Sequence, residues 1–219
     1  MKVVEIFKSI DGEGIRAGLP VVFVRLYGCN LNCSYCDTPY SHITEQDKAV
    51  EMDPSEVIDC VIGSGIPRVT ITGGEPLIHQ DIEKLIDGLI KHGIEVNIET
   101  NGTRPVPARY QAGERRLLFF TMDYKCPSSR MESAMSIENL NTLKNCDVLK
   151  FVVGCKGDLD AAYSVINSLR SDPQIFFSPV FGEIEPSAIV DYMMEKKLWN
   201  CRVQVQLHKI IWNPNERGV

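Results

Sequence analysis

The sequence predicts an α/β fold with about six to seven mostly parallel strands, arranged as an incomplete (β/α) barrel. Apolar, β-branched runs recur along the chain, as in buried strands. Amphipathic helical patterns lie between these runs, which is typical of parallel strand–helix–strand units. The chain has 219 residues, whereas a complete eight-unit barrel needs about 250. The incomplete barrel is therefore favoured over a closed barrel and over an open doubly wound sheet.

Seven segments have the short, apolar composition of buried strands. The predicted strands cover residues 21–26, 69–72, 94–98, 117–122, 148–153, 175–180 and 203–207. In parallel α/β folds the chemistry lies at the carboxyl ends of the strands. The residues that follow each segment are therefore the candidates for function.

Four amphipathic helices are predicted between the strands. The first follows Asp53, Pro54 and Glu56, which have the order of a capping box with proline at the first helical position. The other apolar stripes begin near residues 79, 159 and 186, and these stripes are expected to pack in the core. Prolines, glycine and polar residues interrupt the helical pattern over residues 100–116 and 125–136, which are predicted to be loops.

Composition and charge limit the partners. The chain carries 23 Lys and Arg against 29 Asp and Glu, a net charge of −6, so neither nucleic acid nor an anionic membrane surface is expected as a partner. No apolar run approaches the roughly 18 residues of a membrane-spanning helix, and the first residues lack the apolar segment of a secretory signal. We therefore expect a single domain over residues 1–219, located in the cytoplasm and acting on a small molecule.

Three of the eight cysteines stand close together after the first predicted strand. Cys29, Cys33 and Cys36 can converge on one metal centre, because deprotonated thiols are good soft ligands. A zinc site with His42 as the local fourth ligand is one alternative, and ordinary buried thiols are another. Three cysteines on a four-iron cluster would leave one iron open for chemistry, and the spacing favours such a cluster. The other five cysteines, Cys126 among them, are expected to be mostly core thiols.

The order Cys29, Cys33, Tyr35, Cys36 resembles the Cys-x3-Cys-x-aromatic-Cys signature of the radical S-adenosylmethionine (SAM) superfamily. This resemblance implies an incomplete (β/α) barrel of the radical SAM type. It also implies a [4Fe–4S] cluster whose open iron binds the amino and carboxylate groups of SAM, and reductive cleavage of SAM to methionine and a 5′-deoxyadenosyl radical.

Two further segments are similar to SAM-contacting segments of the same superfamily. Gly73, Gly74 and Glu75 follow the second strand, where glycines let backbone groups approach a ligand and a carboxylate can accept from an ammonium. Glu99 and Asn101 follow the third strand, in a segment similar to the one that contacts ribose. By resemblance, the residues expected at the cofactors are Tyr35, Gly73, Gly74, Glu75, Glu99, Asn101, Lys125 and Ser128.

Three segments narrow the resemblance to the 7-carboxy-7-deazaguanine synthase family. They cover residues 9–14, 123–129 and 206–209. The resemblance implies a lyase reaction in queuosine and deazapurine biosynthesis, in which 6-carboxy-5,6,7,8-tetrahydropterin contracts to 7-carboxy-7-deazaguanine with loss of ammonia. It further implies Mg2+, a reductase such as flavodoxin, and a homodimer.

The same resemblance assigns roles to individual residues. Arg25 would clamp a substrate carboxylate and Glu13 would accept from the pterin edge, so both join the three cluster cysteines as expected catalytic residues. The alternative for Arg25 is an ordinary strand-end salt bridge. Thr38 matches the threonine that contacts Mg2+ through its hydroxyl. The expected substrate contacts are Ser9, Ile10, Asp11, Gly12, Glu13, Arg25, Thr72 and His208.

The chain also departs from the family pattern. Asp11 stands where many relatives have glutamine, residues 210–219 continue beyond the His-Lys pair, and residues 101–116 align with nothing known. A second hypothesis is an activating enzyme that generates a glycyl radical on a partner protein. A third is a non-catalytic iron–sulfur or zinc module, but an electron carrier has no need of a glycine-rich, SAM-binding strand end.

Overall fold

One nine-stranded sheet organises the part of the chain that the computed structural model describes, residues 1–42, 48–214 and 216–219. The strands are β1 (Lys2–Ile10), β2 (Pro20–Leu26), β3 (Val50–Glu51), β4 (Arg68–Gly73), β5 (Glu95–Thr100), β6 (Leu118–Tyr124), β7 (Val148–Val153), β8 (Gln174–Pro179) and β9 (Cys201–Val203). Their order in the sheet is β3-β1-β2-β4-β5-β6-β7-β8-β9. Strands β2 and β4 to β9 run parallel, whereas β1 and β3 are antiparallel additions at one edge.

The prediction of an incomplete barrel is confirmed, because β3 and β9 form the two open edges of the described sheet. All seven predicted strands are present. The last one is displaced: β9 ends at Val203, and the chain then turns so that the Leu207 N–H donates to the carbonyl of Gly12. The described sheet has nine strands rather than the predicted six to seven, because β1 and β3 were missed. Polar residues such as Lys2 and Lys8 interrupt the apolar pattern of β1, as is common in half-exposed antiparallel strands, and β3 has only two residues.

The helices that pack on the sheet follow the predicted pattern. They are α1 (Pro54–Gly63), α2 (Ile82–Lys91), α3 (Ala108–Gln111), α4 (Ile137–Leu140), α5 (Lys156–Ser168), α6 (Pro186–Glu195) and α7 (Leu207–Ile211). The four predicted helices correspond to α1, α2, α5 and α6. The carboxylate of Glu56 accepts from the Asp53 N–H (2.7 Å), as a capping box requires. The two predicted loops hold only four-residue α3 and short 3-10 turns in the described chain.

Alternation along the strands places the apolar core on one face of the sheet. In β6, Phe120 and Met122 are fully buried with residues of the helices, whereas Thr121 and Asp123 point to the opposite face. The helices therefore cover one face, and the other face is left for a site. No helix in the described ranges is long and apolar enough to cross a membrane.

Candidate active site

The face of the sheet away from the helices is polar. Register places Arg25 beside Thr72 and Asp123 beside Lys150, and paired residues of neighbouring strands point to the same side. Parallel strands that are buried on both faces are normally apolar, so a polar row marks this face as the candidate site. The polar row consists of Arg25, Thr72, Glu99, Thr121, Asp123, Lys150 and Ser178.

The three-cysteine loop follows β2 and is fastened to the end of β4. The Gly74 N–H donates to the carbonyl of Leu26 (3.0 Å), and the Glu75 N–H donates to that of Gly28 (2.7 Å). A Cβ at Gly73 would overlap the Leu26 backbone, and one at Gly74 would overlap the Gly28 carbonyl. We expected the two glycines to let a ligand approach; in the structure they let the chain's own cysteine loop approach.

Glu75 is fully buried, and its carboxylate is occupied by the chain itself. It accepts hydrogen bonds from the Leu77 N–H (2.9 Å), the Thr100 hydroxyl (2.7 Å) and the Asn101 N–H (2.6 Å). Burial raises the pKa of Glu75, although these donors lower it in part. The Glu75 carboxylate therefore ties the end of β4 to the end of β5, and its contact with the ammonium of SAM stays a prediction.

The thiols of Cys29 and Cys33 are half-buried and close to polar partners. Cys29 Sγ accepts from the Leu31 N–H (3.4 Å) and from Asn101 Nδ2 (3.6 Å). Burial raises the pKa of both thiols, and Lys125 lowers that of Cys33 in part. Both thiols are therefore protonated until a metal displaces the proton.

The cysteine loop fits a [4Fe–4S] cluster by its donors. All eight cysteines are free, and three of them stand on one loop. The zinc alternative with His42 requires side chains that converge on one metal ion. Within the described residues, no group of three or more Cys, His, Asp or Glu side chains is placed to hold a single ion. In a four-iron cluster each cysteine binds a different iron, so the three sulfurs need not converge on one point. Of the five cysteines outside this loop, Cys126 is fully buried in the hydrophobic core, whereas Cys60 and Cys155 are exposed and Cys146 and Cys201 are partly buried. The expectation that most of these five are core thiols is therefore wrong.

The far side of the cysteine loop packs on the turn after β6. Ser34 donates from its N–H to the carbonyl of Ser129 (3.1 Å) and from its hydroxyl to that of Ser128. The Ser128 N–H in turn donates to Asp158 at the start of α5 (2.9 Å). Tyr35 lies against β7, with its hydroxyl 3.4 Å from the Val152 carbonyl, and burial raises its pKa. Tyr35 and Ser128 thus lie at the loop, as predicted.

Charged side chains form an alternating chain across the polar face. Lys150 Nζ lies 3.2 Å from Glu13 Oε2 and 3.2 Å from Asp123 Oδ1, and Lys125 Nζ lies 3.0 Å from Asp123 Oδ2. Burial alone would raise the pKa of Asp123, but the two lysines hold it below its usual value. Burial alone would lower the pKa of Lys150, but Asp123 and Glu13 raise it well above its usual value. Burial raises the pKa of Glu99, which accepts from the Thr72 hydroxyl.

The loop after β1 brings Glu13 onto this face. Glu13 Oε1 accepts from the Ser178 hydroxyl (2.6 Å) and from Gln204 Nε2 (3.4 Å). Gly12 lies against the ring of His208, so that a Cβ at this position would overlap Nδ1. Burial lowers the pKa of His208, which is therefore neutral at pH 7. The structure thus brings together the predicted residues Gly12, Glu13 and His208.

Other predicted substrate residues of this segment have structural partners. Both carboxylate oxygens of the buried Asp11 are engaged, by Arg16 Nε (2.8 Å) and by the Thr70 hydroxyl (2.7 Å). Ile10 pairs with the start of β2, and the Ser9 hydroxyl is buried without a hydrogen-bond partner in the described chain. The Asp11 side chain therefore fixes the loop, and the contact of Asp11 with a substrate stays a prediction.

Arg25 forms the salt bridge that was the alternative to its predicted role. Its Nε lies 2.6 Å from Glu5 Oε1, and the Tyr40 hydroxyl donates to the same oxygen (3.2 Å). This pair lies on the polar face, next to Thr72. Thr38 lies at the end of the cysteine loop, with its hydroxyl 3.9 Å from Cys36 Sγ.

Lys150, Ser178 and Gln204 line the site but were not predicted. A lysine between Leu149 and Phe151 in an apolar strand was the available signal, because an isolated charge in a buried strand is costly. Gln204 stood inside a segment that was assigned to a strand, and Ser178 has no distinguishing neighbours. Their proximity to Glu13 depends on contacts across more than 130 positions of sequence.

Comparisons with known proteins agree with this geometry. Residues 23–118 match the radical SAM superfamily. The chain is 45% identical to a 7-carboxy-7-deazaguanine synthase of Clostridium acetobutylicum, covering 100% of this chain and 99% of that protein. It is 42% identical to the synthase of Methanospirillum hungatei, covering 98% and 86%. The crystal structure of QueE from Escherichia coli superposes with a TM-score of 0.74 at 25% identity, covering 94% and 93%.

An open parallel sheet with a three-cysteine loop at the carboxyl end of β2 defines a radical SAM enzyme. Radical SAM enzymes use a [4Fe–4S] cluster and SAM, and three free thiols stand on the loop after β2. Within that class, the chain belongs to the 7-carboxy-7-deazaguanine synthase family.

Proposed function

We propose that this chain converts 6-carboxy-5,6,7,8-tetrahydropterin to 7-carboxy-7-deazaguanine with loss of ammonia. The observation that carries the proposal is the polar face of the sheet. Arg25, Glu13 and His208 lie on this face, and strand β2, which contains Arg25, leads into the cysteine loop. Cations and acceptors of this kind suit a small, polar, carboxylated substrate. Family membership supports the same reaction.

The residues have distinct tasks in this proposal. Arg25 clamps the substrate carboxylate, and Glu5 keeps the guanidinium in place until the substrate arrives. Glu13 accepts from the pterin's amino edge, and Thr72 and His208 border the ring. The cluster and SAM, when bound, supply the carbon radical that removes hydrogen from the substrate. The polar face holds the substrate so that one carbon faces that radical.

Cofactor contacts also belong to the proposal. The residues proposed to contact the cofactors lie in the cysteine loop, beside it, or at the adjoining strand ends. Within the loop this is Tyr35; beside it these are Asn101, Lys125 and Ser128; at the strand ends these are Gly73, Gly74 and Glu99. We place Mg2+ at the Thr38 hydroxyl, with the substrate carboxylate and water as its other oxygen ligands.

The proposal includes a reductase that docks beside the cysteine loop. Arg104 and Arg130 are both exposed and flank that loop. Arg104 adjoins Thr103, whose hydroxyl accepts from Asn30 of the loop (2.8 Å), and Arg130 ends the turn to which Ser34 is bonded. Two exposed cations beside an electron acceptor favour an acidic donor such as flavodoxin.

A homodimer and a cytoplasmic location complete the proposal, with residues 1–219 forming one radical SAM domain. Phe181 (59% exposed) and Ile210 (67% exposed) line an apolar groove with Val205, beside the open edge strand β9. An exposed apolar groove of this kind is typical of a subunit interface. The eight free thiols suit a reducing compartment.

The test is an anaerobic assay. The reconstituted protein is incubated with dithionite, SAM, Mg2+ and 6-carboxytetrahydropterin, and the products are analysed by mass. The expected result is 7-carboxy-7-deazaguanine without stoichiometric loss of SAM. If 5′-deoxyadenosine forms but no deazapurine does, the substrate assignment is wrong. A glycyl radical on a partner protein would then be the reaction to test.

A further inference from the structure

Lys150 is a buried lysine in the middle of an apolar strand. It lies in β7 between Leu149 and Phe151, which are fully buried in the core, and its own side chain is 8% exposed. A buried ammonium is costly unless it is paired. Here it pairs with Glu13 from the loop after β1 and with Asp123 from β6, at 3.2 Å each.

The two carboxylates do not depend equally on this ammonium. Asp123 has a second cation, because Lys125 Nζ lies 3.0 Å from its other oxygen. The remaining described partners of Glu13 are the neutral serine hydroxyl and glutamine amide. Removing the charge of Lys150 therefore leaves Asp123 paired, but leaves Glu13, whose side chain is 13% exposed, as a partly buried anion without a counter-ion.

We propose that Lys150 is a positioning residue that keeps Glu13 ionised and holds its carboxylate in the orientation that binds the substrate. The inference rests on the proposed function, in which Glu13 accepts from the pterin. A carboxylate has about four acceptor sites. Oε1 of Glu13 takes two donors and Oε2 takes Lys150, which leaves one site on Oε2 for a donor of the substrate.

The other charged or titratable groups around Glu13 do not replace Lys150. His208 of α7 faces Glu13, but its burial keeps it neutral at pH 7. Asp123 and Glu99 lie beyond Lys150 and are acids. Without Lys150, no other described cation pairs with Glu13, so its carboxylate is expected to be easier to protonate than in the wild type and a weaker acceptor.

The experiment compares pH profiles of kcat/KM for 6-carboxytetrahydropterin. Lys150→Met is expected to lower kcat/KM at pH 7 by about tenfold or more, mainly through KM. The loss should shrink as the pH rises, because Glu13 becomes ionised again. Lys150→Arg, which retains the charge, should keep the wild-type profile. Lys91→Met, at the exposed end of α2, is the matched control.

A merely structural lysine would give a different pattern. Glu13→Gln should lose activity equally at every pH, and adding Lys150→Met to it should cause no further loss. The iron content and the circular dichroism spectrum of each variant show whether it is folded and loaded, and Lys91→Met should cleave SAM in the absence of pterin at the wild-type rate. Lys150→Gln, a polar replacement, should reproduce the altered profile even where the methionine variant accumulates poorly.

Two failures are distinguishable. If the wild-type protein forms no deazapurine, the proposed function is wrong. If the wild type is active but Lys150→Met and Lys150→Gln keep its pH profile, or the double variant loses more activity than Glu13→Gln alone, Lys150 does not act through Glu13.

Discussion

Replacing Glu75 with alanine is expected to destabilise the whole protein. Its buried carboxylate accepts from the Leu77 N–H, the Thr100 hydroxyl and the Asn101 N–H. Thr100 and Asn101 are themselves buried, so alanine leaves two buried donors without an acceptor, each costing about 1–3 kcal/mol. With the small cavity added, we expect the free energy of unfolding to fall by about 3–5 kcal/mol.

Urea unfolding of the metal-free protein under reducing, anaerobic conditions measures this loss. For a chain of this length, the change corresponds to a fall of roughly 10 °C in Tm. Glu114→Ala, at an exposed position, is the matched control and should change stability by less than about 0.5 kcal/mol. Glu75→Gln should lower the free energy of unfolding by an intermediate amount, because its amide oxygen can still accept a hydrogen bond while its NH2 group faces another donor.

A carboxylate that served mainly to receive the ammonium of SAM would behave differently. Glu75→Ala would then unfold at nearly the same urea concentration as the wild type and would lose only SAM binding. A loss of stability below about 1 kcal/mol would therefore refute the structural role that we assign to Glu75.

Three further predictions concern the surroundings of the site. Arg104→Glu combined with Arg130→Glu should lower flavodoxin-supported turnover about tenfold at low salt while dithionite-supported turnover is unchanged; equal losses with both reductants would contradict the docking proposal. Asn101→Leu removes a donor to Cys29 Sγ and should lower the reduction potential of the reconstituted cluster, as followed by EPR during a redox titration; an unchanged potential would exclude this role. Burial lowers the pKa of His208. Below about pH 6.5 the unfolded chain therefore binds more protons than the folded one, and the free energy of unfolding decreases as the pH is lowered. His208→Gln should therefore show a smaller drop in Tm between pH 7.5 and 5.5 than the wild type, and an equal drop would contradict the assignment.

The parallel strands and main helices could be predicted because their signals are local. Seven apolar runs and four amphipathic stripes each carry their own pattern. Strand β1 escaped because it is half-exposed and takes its partners from β2 and β3. Strand β9 was displaced because the chain leaves the sheet to reach Gly12, and no local pattern records that contact.

The site was predictable where chemistry depends on spacing in sequence. The cysteine triplet and the glycine pair are of this kind. The structural role of Glu75 was not predicted because a carboxylate beside glycines suits a ligand as well as it suits Thr100 and Asn101. The structural role of Asp11 was not predicted because no local pattern shows its contact with Arg16. Lys150 was missed because its two carboxylate partners come from distant parts of the chain.

The link between the loop after β1 and the segment after β9 has a consequence for biogenesis. The Gly14 N–H donates to the Gln204 side chain (2.7 Å) across a separation of 190 residues. A nascent chain emerges from its N-terminus onward, so the cysteine loop leaves the ribosome long before Gln204 is synthesised. The three thiols are thus accessible on an unfinished chain, whereas the contact of Gly14 with Gln204 forms only when the last strand has emerged.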